Sequence, residues 1–180
     1  LGIFALNGEG IEGSVLQMVN HGIIASALFI IVGILEKRMN TRSLNDFRGL
    51  GKAMPLLYGM FMLITLAALG LPGLNGFVGE FMILMGSYPT FKVLTSVAAF
   101  GVVLAAIYML WAYQRMFNGQ LDNDENSVLT DLNSKELVAV GPLLALMLFI
   151  GIYPSFIESY VVQDVSVIYE SISNLIGVSQ

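Results

Sequence analysis

Ala67-Ala68-Leu69-Gly70-Leu71-Pro72-Gly73-Leu74-Asn75-Gly76-Phe77-Val78-Gly79-Glu80-Phe81 is the stretch that decides how this chain is built. It lies inside an apolar run from Met54 to Tyr88 whose single charge is Glu80. At about 35 residues the run is too long for one straight crossing of a ~30 Å hydrocarbon core, and too short for two crossings with a loop. Pro72 lacks an amide donor and clashes with the turn before it, and Gly70 and Gly73 loosen the backbone on either side. One discontinuous transmembrane helix is expected over 54–88. Its first half runs from about 55 to 69, its unwound stretch reaches Gly76, and its second half starts at Phe77. Gly70, Pro72, Gly73 and Gly76 are the residues of the break.

Outward from this segment the same solvent is legible. The chain is 56% hydrophobic and only 12% charged, about half the charged share of a soluble domain. On the N-terminal side, the polar turn Asn7-Gly8-Glu9-Gly10 leads into an apolar run over 11–35, long enough to span at 1.5 Å per residue. Residues 1–6 read as the end of a preceding transmembrane helix, and the chain as a C-terminal fragment of a longer protein. On the C-terminal side, 91–116 and 137–153 are further spans, joined by an acidic, Asn-rich loop over 117–136. Residues 157–180 place Ile157, Val161, Val165, Ile168, Ile172 and Leu175 at spacings of three and four, the pattern of an amphipathic tail lying along a surface. The fold class is all-α integral membrane, with about four spans including one discontinuous helix.

Charge gives the orientation. Five of the eight basic residues, Lys37, Arg38, Arg42, Arg48 and Lys52, fall in the connection 36–53. The positive-inside rule makes that loop cytoplasmic, and the resulting topology adds Arg115 and Lys135 to the same side. The cluster is short, lies between spans and lacks interleaved aromatics for base stacking, so nucleic acid is not an expected partner; the lipid bilayer is. There is no Cys and one His, which excludes thiolate-bound iron–sulfur clusters and Cys-rich zinc sites from this chain. No metal site, no cofactor and no catalytic centre are expected in it.

Within this apolar frame, Glu80 stands out. An ionisable side chain inside a span costs ~2.5–3.5 kcal/mol on insertion scales and marks a functional position by default. Seven residues past Gly73 of the break, it should face unwound backbone and trapped water, where a carboxyl can exchange protons. His21 lies mid-span with Gln17 one turn before it, and Asn20 lies beside it; imidazole chemistry suits a proton relay. Each has a plainer reading: a carboxyl that only joins helices, a packing histidine, a simple proline kink. Lys92, about 18 Å along a helix from Glu80, is a snorkelling interfacial lysine rather than its partner.

The motifs Gly10-Ile11-Glu12-Gly13, Gln17-Met18, His21-Gly22 and Leu28-Phe29, then Gly70 to Phe81, resemble the proton-pumping, antiporter-like membrane subunits of respiratory complex I. Within that family they look most like the subunit M branch of bacterial NADH:quinone oxidoreductases, the mitochondrial chain 4 homologues. Asp131-Leu132-Asn133 with Glu136 resembles the family's loop before its last helix. The resemblance implies a fourteen-helix subunit with two inverted five-helix repeats, of which this is the final third. It further implies proton translocation coupled to quinone reduction, with Glu80 and His21 as proton-carrying groups and Gln17 and Asn20 as polar support. Sister subunits and Mrp-type sodium/proton antiporters generally carry Lys where Glu80 stands. FMN, iron–sulfur clusters and quinone would belong to partner subunits, with antiporter-like neighbours in a bacterial cytoplasmic membrane. An Mrp-type antiporter subunit or a membrane-bound hydrogenase subunit is the alternative. Relatives commonly carry His where Asn40 stands, a departure at the inner loop.

Overall fold

A computed structural model describes residues 1–44, 46–118 and 129–176. Asn45, the middle of the acidic loop, the last four residues, and the side chains of Ile168, Glu170 and residues 172–176, Ile172 and Leu175 among them, lie outside the described residues. Helix α1 spans Gly8–Met39, α2 Leu50–Ala53, α3 Pro55–Ala68, α4 Asn75–Ser87, α5 Lys92–Phe117, α6 Ser134–Ile152 and α7 Ser155–Ile176. Among the described residues every regular element is helical, and α1, α5 and α6 are each long and apolar enough to cross a membrane. With 14 and 13 residues, α3 and α4 are each only about 20 Å long, so neither crosses a ~30 Å core alone. Together they make the discontinuous crossing of a multi-pass membrane protein.

Several boundaries differ from the sequence reading, each for a local reason. Residues 1–6 contain a single 3₁₀ turn, Ile3–Ala5, stopped by Leu6 at φ 52°, rather than the end of an α-helix. Helix α1 starts at Gly8, earlier than expected, because Asn7 caps it by accepting from Gly10 N at 2.8 Å. It also runs through Glu36 to Met39, the first turn of the expected basic loop, where Lys37 and Arg38 oppose the negative end of the helix dipole. The break is shorter than 70–76: α4 already begins at Asn75, so Gly76 is helical and not part of the unwound stretch. Helix α6 starts at Ser134 instead of 137 because Asn133 and Glu136 form a reciprocal capping box.

The helix halves meet around α1. Antiparallel to it, α4 crosses with Gly10 against Gly86, Gly13 against Met82 and Ile83, Gln17 against Gly79 and Asn20 against Asn75. A Cβ at Gly13 would meet Met82 Cβ at 2.6 Å and Ile83 N at 2.9 Å, so the two backbones touch without side chains between them. Lipid tails are as apolar as leucine, so hydrophobic transfer does not hold such helices together; close packing and polar ties do. Asn7 supplies one tie, donating from Nδ2 to the Gly86 carbonyl at 2.6 Å.

The basic end of the bundle is tied by charge. Arg38 Nη2 donates to Glu136 at 2.6 Å and to the Asp131 carbonyl at 3.1 Å. The Asp131 carboxylate accepts from Leu56 N at 2.7 Å and Leu57 N at 3.1 Å. It thereby caps α3, whose first residue, Pro55, has no N–H to offer. Tyr58, Phe61, Tyr113 and Phe117 stack across α3 and α5 at 5.3–6.1 Å between ring centres. Beyond that clasp, α5 turns its apolar residues outward: Val93, Phe100 and Ile107 are 77%, 62% and 61% exposed. An apolar face of that size faces lipid or more protein rather than water.

Candidate functional site

The break is built as a helix stop. With Leu69 as C-cap, Leu71 N donates to Leu66 O at 3.1 Å and Gly70 N to Ala67 O at 3.2 Å. These are the paired bonds of a Schellman motif, which needs a left-handed residue just past the cap. Gly70 fills that place at φ 68°, where a Cβ would be strained. Pro72 then blocks renewal of the helix, and Gly73, at φ 93°, turns the chain into α4. The outer wall of the break is α6: a Cβ on Gly151 would run into Gly73 O and Leu74 Cα.

Glu80 reaches back to this stop. Helical side chains lean toward the N-terminus of their helix, and a Cβ on Gly70 would lie 2.8 Å from Glu80 Oε2. Gly70 is thus required twice, for its backbone angle and for the space the carboxyl occupies. Gln17 Nε2 donates to the other oxygen, Oε1, at 3.3 Å. Gln17 is admitted by Gly79, where a Cβ would sit 2.5 Å from Gln17 Oε1 and 2.9 Å from its Cβ.

One turn along α1, Asn20 and Asn75 form a second polar contact. Asn20 Nδ2 donates to the Asn75 carbonyl at 2.8 Å, and Asn75 Nδ2 donates to Asn20 Oδ1 at 3.3 Å and Asn20 O at 3.4 Å. Both residues are 0% exposed. Gly76 packs beside them, where a Cβ would collide with the Ala67 carbonyl; it seats α4 on the end of α3 rather than loosening the break. Gln17 Oε1, Asn75 Oδ1 and Thr65 Oγ1 are buried acceptors without a hydrogen-bond partner. Groups of this kind are normally satisfied by water.

The anticipated residues are therefore distributed unevenly. Gln17 and Glu80 touch, and Gly70, Pro72 and Gly73 shape the ground beside them. Asn20 is bonded to Asn75 instead, at the start of α4. His21 is exposed on α1 and, among the described residues, makes no hydrogen bond to Glu80. Asn75, Gly79 and Gly151 were not singled out from the sequence, because their importance is set by which neighbour they face. The described residues include no group of three or more His, Cys, Asp or Glu able to hold a metal.

Comparison with known proteins agrees with this architecture. The family described as NADH:quinone oxidoreductase/Mrp antiporter, TM, matches residues 1–107. The NADH-quinone oxidoreductase subunit M of Rhodobacter capsulatus is 42% identical over 164 residues, 89% of this chain and 31% of that protein. Subunit M of Rickettsia bellii is 38% identical over 176 residues, 98% of this chain and 34% of its own length. The chain thus spans about a third of the length of these relatives. Among solved structures, respiratory complex I from Thermus thermophilus with bound NADH superimposes with a TM-score of 0.85 at 28% identity, over 93% of this chain and 35% of that one. The Mrp complex from Dietzia sp. gives 0.82 at 17% identity, over 95% and 40%, a likeness of fold.

Proposed function

The chain belongs to the NADH:quinone oxidoreductase/Mrp antiporter membrane family, and from that premise we propose that it is part of a proton-translocating membrane subunit of a bacterial NADH:quinone oxidoreductase. In this reading Glu80 takes up and releases the proton, His21 relays charge toward it, and Gln17 and Asn20 hold the polar path. Electron transfer through FMN, iron–sulfur clusters and quinone belongs to partner subunits. The observation that carries the reading is a carboxyl placed against a helix stop inside an otherwise apolar span, with an amide at 3.3 Å.

That amide suits a group that changes protonation. Gln17 Nε2 donates to the carboxylate, while Gln17 Oε1 lacks a partner. Turning the amide over presents an acceptor to the protonated acid. Both states of Glu80 can therefore be satisfied by one side chain, without moving a helix. Similarity to subunit M at 38–42% identity supports complex I over an antiporter or hydrogenase as the parent assembly.

The experiment compares Glu80→Gln and Glu80→Asp with the parent in the assembled complex, measuring NADH-driven proton uptake into membrane vesicles beside the electron-transfer rate. Glu80→Gln keeps shape but cannot release a proton, so uptake should fall severalfold or more with assembly intact. Glu80→Asp should retain a substantial part. Full pumping by an assembled Gln variant would reduce Glu80 to a packing carboxyl.

A further inference from the structure

At the basic end, α1, α3 and α5 do not close completely. Val32 and Leu35 of α1, Phe61 of α3, Met116 of α5, and Leu44 and Phe47 of the loop surround a cavity of about 100 Å³. Its walls are hydrocarbon and aromatic apart from Thr41, whose hydroxyl donates to Asp46 Oδ2 at 2.7 Å, and Arg42, which supplies the charged part of the lining. The Arg42 side chain is 73% exposed, and Nη2 is paired with Glu36 at 2.8 Å. An exposed pair of this kind contributes little, and a guanidinium has five N–H donors, so capacity for a further anion remains. The connection 36–53 carries five basic residues against Glu36 and Asp46. The cavity lies within one or two turns of three helix ends, the depth at which headgroups give way to acyl chains in a bilayer.

We propose that this cavity is a seat for an anionic phospholipid of the surrounding membrane, its phosphate on Arg42 and the upper part of one acyl chain among Val32, Leu44, Phe47 and Phe61. The occupant must be both anionic and hydrocarbon: a free phosphate leaves the apolar walls unused, and a zwitterionic lipid sets a positive headgroup against a basic loop. Basic pockets between spanning helices on the cytoplasmic side are suited to such headgroups. The seat does not involve Glu80, and it holds or fails independently of the translocation reading.

The test uses the assembled complex with a fluorophore on Ser43→Cys, at the exposed edge of the loop, corrected for labelling of the complex without that cysteine. Reconstitution is into phosphatidylcholine vesicles containing either phosphatidylglycerol or phosphatidylcholine that bears a nitroxide quencher high on one acyl chain. Quenching should show an about fivefold preference for the anionic lipid, the scale of one basic contact near a membrane surface. Arg42→Gln removes the charge and Val32→Trp fills the cavity; each should reduce the preference to near one. Leu44→Phe fills the same space from the loop and replaces Val32→Trp if that variant does not assemble. Equal quenching by both lipids in the parent overturns the proposal. So does a preference that survives both kinds of variant, and so does loss with Arg42→Gln alone, which would mean attraction to a charged surface without a seat.

Discussion

At the scale of the residue, the most demanding position is Gly70. It has a left-handed backbone angle and shares its space with the Glu80 carboxyl. Gly70→Ala should cost about 1–2 kcal/mol for the backbone alone and displace the carboxyl from the stop. The expected outcome is an assembled complex with lowered proton uptake per electron, while Gly141→Ala, where a Cβ meets nothing within 4 Å, leaves it unchanged. Asn75 poses a different problem. Interhelical hydrogen bonds in membranes average only ~0.6 kcal/mol in double-mutant cycles, yet removing one partner leaves the other buried and unpaired, at about 1–3 kcal/mol. Asn75→Leu should therefore lower the thermal stability of the subunit more than the double change Asn20→Leu with Asn75→Leu lowers it per site. A strictly additive result would show that the two amides do not depend on each other. Glu80 was legible in the sequence because a charge in an apolar run is conspicuous. Asn75 was not, because an amide beside a proline-glycine turn reads equally well as a loop residue, and only the register of α1 against α4 reveals Asn20 opposite it.

At the scale of the element, Pro72 and the glycines announced an interruption, and its chemistry explains the correction at its far edge. The stop is completed by Gly70 and the restart by Gly73, so nothing is left for Gly76 to unwind. Gly76 serves contact with Ala67 and Ile24 instead. Replacing Pro72 and Gly73 together by Ala removes the helix blocker and one left-handed angle, and it should favour a continuous helix. Proton uptake should fall with the subunit still assembled; unchanged uptake would mean that the interruption has no part in translocation. The α1–α4 seam is lined by Gly10 and Gly13 on one helix and Gly76, Gly79 and Gly86 on the other. Small residues at such spacing permit close approach but do not name a partner. Likewise, Asn133 and Glu136 carry the spacing of a capping box, whereas the capping of α3 by Asp131 joins residues 74 and 75 positions apart and has no local signature.

At the scale of the whole molecule, the orientation rests on the distribution of basic charge. The Arg38–Glu136 pair and the Asp131 cap gather the loops 36–54 and 129–136 at one end. Cysteines introduced singly at Ser43 and Ser171 should react with impermeant reagents from opposite sides, Ser43→Cys from the cytoplasm and Ser171→Cys from outside. Reaction of both from one side would overturn the four-crossing topology.

The contact of α1 with α4 has a consequence for biogenesis. Half-helices of 14 and 13 residues fall below the ~17–25 residues that an isolated segment needs to be retained by a bilayer, and the second carries a carboxyl into it. During synthesis, however, α1 emerges first. By the time Asn75 and Glu80 leave the ribosome, Asn20 and Gln17 already stand in the membrane as partners, and the glycines opposite them leave room for a backbone to lie down. The later, weaker crossing is therefore expected to lean on the earlier one, since chain order puts the partners of its polar groups in place before it.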